Sequence, residues 1–115
     1  MYPKHFCDLF SPDLDASMVF IGMSFAAADQ PRWAEIIQPA ITSAGLRPYR
    51  VDAGNVSDSI MTDILTGLRR ARLALFDITA DDAGHRNGNV MYELGLAHAL
   101  RNPEEVLIVR ADVRP

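Results

Sequence analysis

With Cys7 as its only cysteine, the chain can close no disulfide on itself and can build no metal site from paired thiolates. A reducing, cytoplasmic setting is therefore expected. Long apolar runs are also missing. None approaches the roughly eighteen residues of a spanning helix, and the first residues are polar and acidic where an export leader would be apolar. No membrane partner is expected. Basic residues are few: eleven Lys and Arg stand against fifteen Asp and Glu, a formal charge of −4. Such a chain does not draw in nucleic-acid backbones, so no nucleic-acid partner is expected. His5 and His85 have no neighbours at ligand spacing, and neither a metal nor a cofactor is called for.

What is present suits one domain. A chain of 115 residues buries one core and not two, and 49% hydrophobic with 23% charged residues is ordinary for a globular protein. Residues 1–17 have two prolines and no sustained period, and read as an irregular lead-in to a domain over 18–115. Residues 18–25, MVFIGMSF, are short and apolar, as in a strand buried on both faces. Asp29 can then cap a helix to about residue 43, with Trp33, Ile36, Ile37, Ala40, Ile41 and Ala44 as its apolar stripe, a bend at Pro39 and Gly45 as its stop.

A second strand over 46–51 ends at Asp52 and Gly54. Ser57 or Asp58 opens a helix with Ile60, Ile64, Leu68 and Ala71 on one face, and 73–78, LALFDI, form a third strand. After a polar loop, a helix over 89–101 leads to a fourth strand at 105–109. Alternating strands and helices need right-handed crossovers. The expected fold is a Rossmann-like (flavodoxin-like) α/β three-layer sandwich with a parallel sheet of about four strands in the order 2-1-3-4.

The chemistry concentrates in one segment, NGNVMYELGLAHAL, residues 87–100. Its helix is apolar nearly all round, and Glu93 is its one acid. A buried carboxylate loses hydration worth several kcal/mol unless it is neutralised, paired or opened to a cleft. Placed in the first helical turn, it would also feel the helix dipole, which favours the ionised form. The two effects oppose each other and leave the direction of its pKa open. Parallel sheets bind ligands beyond the carboxyl ends of their strands, where this helix would begin. An ion pair with an arginine such as Arg70 explains a lone buried acid equally well. Gly95, costly inside a helix, suggests a close approach to the backbone by the sheet or by a ligand.

Asp77, at the end of the third strand, is a candidate second acid or a turn cap. Gly22, Ser24 and Phe25 stand at the end of the first strand, where ligand groups could meet backbone amides or a ring, or where the chain simply turns. Asn87 and Asn89 could bind ribose hydroxyls, and Asn89 could equally cap its helix. His98 points away from Glu93 and reads as a satisfied core histidine. Arg69, Arg70 and Arg72 could neutralise a diphosphate or form a solvated helix face.

The succession FIGMSF, LFDIT, NGNVMYELGLAHAL and VLIV, over residues 18–109, resembles the nucleoside 2-deoxyribosyltransferase-like superfamily, whose fold is shared with TIR-like NAD-cleaving domains. Residues 89–100 carry the specific part. The resemblance implies cleavage or transfer of an N-glycosidic bond, with a nucleoside, nucleotide or NAD as substrate and Glu93 as the catalytic carboxylate. The aspartate that the transferases set against the nucleobase has no match in Leu-Arg-Arg-Ala-Arg, residues 68–72, so cleavage is better supported than base exchange. The resemblance also makes a homo-oligomer or a fused partner domain an expectation. The alternative is a non-catalytic nucleotide-sensing or assembly module that uses the same cleft.

Overall fold

The computed structural model describes residues 13–51 and 58–112. His5, Cys7, Asp52, Gly54, Ser57 and the side chains of Asp58 and Ile60 lie outside the described residues. Strand β1, Asp15–Gly22, begins three residues earlier than its apolar run, because Asp15 pairs in the sheet with Ala71 and its carboxylate is held by Ser17 and Arg47. A helical run follows, here called α1. It comprises a 3-10 turn Ala27–Asp29, an α turn Gln30–Arg32, a π turn Trp33–Ile37 and an α segment Gln38–Ser43. Pro39 has no N–H for the carbonyl four residues back and its ring would press on that carbonyl. The chain absorbs this by widening the turn ahead of it, where the Gln38 N–H reaches the Trp33 carbonyl.

Only Trp33, Ile37 and Ile41 of the expected α1 stripe are buried; Ile36, Ala40 and Ala44 are exposed. Nor does Asp29 cap the run, since its side chain pairs with Arg32. Gly45 does take the left-handed conformation, φ 78°. Strand β2, Arg47–Arg50, is followed by helix α2, Asp58–Arg70, and strand β3, Ala71–Asp77. Ala71 thus opens a strand instead of closing a helix. Helix α3, Gly88–Leu100, a 3-10 turn Pro103–Glu105 and strand β4, Val106–Val109, complete the described fold.

The four strands are parallel in the order β2-β1-β3-β4, the Rossmann-like α/β arrangement expected from the alternation. Side chains alternate across the sheet. Met18, Phe20, Ala74 and Phe76 pack under α2 and α3, while Val19 and Ile21 pack under α1. Arg101 locks the first of these layers: its guanidinium donates to the Leu68 and Ala71 carbonyls at 2.6 and 2.5 Å, closing the exposed end of α2. Gly67 lets α2 approach the sheet, since a Cβ there would lie 2.6 Å from the Tyr49 ring. The run Val106–Val109 is apolar but forms an edge strand, and Leu107, Ile108 and Val109 are exposed. Among the described residues, no helix is long and apolar enough to cross a membrane.

Candidate functional site

The β1–β3 boundary is where the strand order reverses direction along the chain, and in open parallel sheets the crevice beyond the carboxyl ends at such a point is where ligands bind. Gly22 ends β1 there, and its sheet neighbour is Phe76 of β3. A Cβ on Gly22 would run into the Phe76 ring and lie 3.4 Å from Oε2 of Glu93. Glu93 therefore reaches down from α3 to the end of β1, and the absence of a side chain at Gly22 makes its room.

Asn87, not Asn89, caps α3: its side-chain oxygen accepts from the Val90 N–H at 3.0 Å. The helix begins at Gly88, so Glu93 lies in the second turn, beyond the dipole's effective reach. Desolvation then prevails. Glu93 is 5% exposed and is bonded by no donor among the described residues, and burial pushes its carboxyl up to about 7. Arg70, the candidate partner, stands at the opposite end of β3, where its Nε donates to the Asp13 carbonyl. Arg69 and Arg72 share that remote end, so the cluster is no part of the crevice.

Asp77 is buried at the same edge but on the other face. Along β3 it alternates with Phe76, pointing with Leu75 toward α1. Arg32 donates to its Oδ2 at 2.5 Å, and the Thr79 amide and hydroxyl donate to its Oδ1 at 3.0 and 2.5 Å. Arg32 also pairs with Asp29 at 2.7 Å, and these carboxylates raise its own pKa despite the opposing burial. Asp77 thus organises the end of the sheet.

A cavity of about 220 Å³ opens between the loops after β1 and β3, lined by Ser24, Ala26, Asp29, Thr79, Asp81, His85, Arg86 and Asn87. Of the sequence candidates it brings together Ser24 and Asn87. Phe25 lies outside its lining: the ring is 48% exposed and carries the Arg50 guanidinium 4.0 Å over its face, with Trp33 at 4.5 Å on the same cation. Asn89 is exposed on the first turn of α3. His98 is exposed too, in the last turn of that helix, not satisfied within the core.

His85 entered the sequence reasoning only as a metal ligand to be set aside, and Arg32 and Arg50 are site residues that it did not single out. Their partners are remote in sequence, with Arg32 and Asp77 separated by 45 residues. Periodicity carries no signal for such pairs. Among the described residues no group of three His, Cys, Asp or Glu could hold a metal ion. No protein-family model matches the chain, and no curated protein does.

Proposed function

We propose that the chain cleaves or transfers the N-glycosidic bond of a nucleoside, nucleotide or NAD, with Glu93 as nucleophile or charge stabiliser. One observation carries this reading: a buried carboxylate with no donor among the described residues, held beside Gly22 at the switch point of a parallel sheet. Such a group has lost most of its hydration, and no described residue offers it a partner in exchange. A cationic centre at the anomeric carbon would supply the missing charge, either through space or by accepting a bond from the carboxylate. The resemblance of residues 89–100 to the nucleoside 2-deoxyribosyltransferase-like superfamily supports the same chemistry. Asp77, engaged by Arg32 and Thr79, serves in this reading to hold the crevice in shape.

The carboxylate must be ionised to act, so turnover should rise as pH passes through about 7, where burial has moved it. Incubating the protein with NAD and with a panel of nucleosides, beside Glu93→Gln, tests the reading. Release of nicotinamide or free base by the wild type, lost in the variant, is expected. Folded wild type that releases neither at high concentration defeats it. A second reading, a module that binds nucleotide and reports it without turnover, is favoured by one fact: Glu93 does not line the 220 Å³ cavity. Calorimetric binding that is unaffected by Glu93→Gln would select that module.

A further inference from the structure

The polar side chains around the cavity between the loops after β1 and β3 are nearly all committed to the protein itself. Ser24 Oγ accepts from the Ala26 amide, and Asp29 pairs with Arg32. The Thr79 hydroxyl donates to Asp77 and accepts from the Ala111 amide. Arg86 donates to the Ile78 carbonyl and faces Asp112, and the Asn87 oxygen caps α3. His85 differs. It is part of the lining, and its side chain bonds no described residue.

Its backbone is nevertheless fixed. The Asp81 amide donates to the His85 carbonyl at 2.8 Å, and Asp81 Oδ1 accepts from the Ala83 and His85 amides at 3.0 and 2.8 Å. Gly84 completes the turn at φ 83°, a conformation that glycine adopts without steric cost. The loop therefore carries, on an anchored main chain, an imidazole that bonds no described residue. It stands just ahead of the helix that carries Glu93.

The proposed reaction needs such a group for some substrates and not for others. A neutral purine leaving the anomeric carbon takes the bonding pair with it and must gain a proton, whereas nicotinamide leaves NAD already neutral. Asp77 is engaged by Arg32 and Thr79 on the other face of the sheet, and arginine does not release its proton in proteins. Histidine is the side chain that both holds and releases a proton between about pH 5 and 8.

We propose that His85 is the catalytic acid that protonates the departing base when the substrate is a neutral purine nucleoside. This rests on the N-glycosidic reading above. As the bond from the anomeric carbon to the base breaks, its electron pair passes to the base, and the imidazolium gives its proton to a ring nitrogen of that base. The Glu93 carboxylate bonds to the anomeric carbon. Water then displaces Glu93, leaving the free sugar and returning one proton to the imidazole.

The test is the relative turnover of a purine nucleoside and of NAD by the wild type, His85→Gln and Glu93→Gln, with folding checked by thermal melts. In His85→Gln the ratio of nicotinamide release to purine release should rise on the order of 100-fold, the usual scale of acid catalysis. In Glu93→Gln both activities should fall together. An unchanged ratio in His85→Gln overturns the assignment of His85 and leaves the Glu93 reading standing. A wild type that releases nicotinamide but no purine overturns it likewise. If the folded wild type releases neither, both readings fall.

Discussion

Asp77 and Glu93 reach the same end of the sheet from opposite faces, Asp77 toward Arg32 of α1 and Glu93 from α3 toward Gly22. Two acids that a sequence sets side by side as possible partners are thereby given different work. The Asp77 side chain is almost fully buried, whereas Arg32 remains partly exposed and keeps Asp29 as a second partner. Replacing Asp77 with Ala strands the buried side of the guanidinium and the Thr79 donors. Loss of one partner of a buried pair costs about 3–5 kcal/mol, and the surviving Asp29 contact should hold the loss near about 2–3 kcal/mol. Urea denaturation of Asp77→Ala, Arg32→Ala and the double variant measures this. Additive losses would show that the pair is not coupled.

Glu93 ties stability to pH with the opposite sign from most carboxylates. Burial raises it from 4.5 to about 7, so between those values the folded protein holds a proton that the unfolded chain has released. Stability must therefore fall as pH rises through that window, by about 3 kcal/mol in all, and stay low above it. Glu93→Gln removes the dependence. The variant should gain on the wild type in denaturant midpoint between about pH 5 and pH 8.5. A gap that does not change with pH would mean that the carboxylate is hydrated in the folded state.

How far the sequence alone reaches can be read from these two acids. The strands and their order follow from apolar runs spaced by helical patterns, because burial and crossover handedness leave few alternatives. Glu93 is legible for the same reason, being the one acid in an otherwise apolar helix. The commitment of Asp77 to Arg32 is not legible, because it depends on which face of β3 residue 77 takes and on a helix 45 residues earlier. Arg101 is similar, reaching back to carbonyls at the end of α2. Asn87 and Asn89 are both good caps two residues apart, and only the start of the helix separates them. The apolar run on β4 gives no hint that it forms an edge, where Leu107 and Ile108 stay exposed.

Gly22 should tolerate no side chain. A Cβ would overlap the Phe76 ring, which is fully buried and has little room to move, and would also touch the Glu93 carboxylate. Gly22→Ala is expected to lose about 1–3 kcal/mol by overpacking. It should also lower turnover beyond what lost stability explains, because Glu93 must shift to make way. Activity measured well below the melting temperature separates the two effects. A variant as stable and as active as the wild type would mean that the ring yields and that the Gly22 to Glu93 approach is unimportant.

Gly95 gives the contrary result. Its place inside α3 suggested that the sheet or a ligand comes close to its backbone, yet a Cβ there meets nothing within 4 Å and the residue is exposed. Its φ is not positive, so alanine fits the same backbone. The substitution removes freedom from the unfolded chain and adds a better helix former. Gly95→Ala should therefore stabilise the protein by about 0.5–1 kcal/mol, measured by thermal or denaturant unfolding. Turnover of NAD and nucleosides should be unaffected if nothing but solvent covers that face of α3. Higher stability together with lost turnover would show that a ligand or a second chain packs against Gly95 in the working protein.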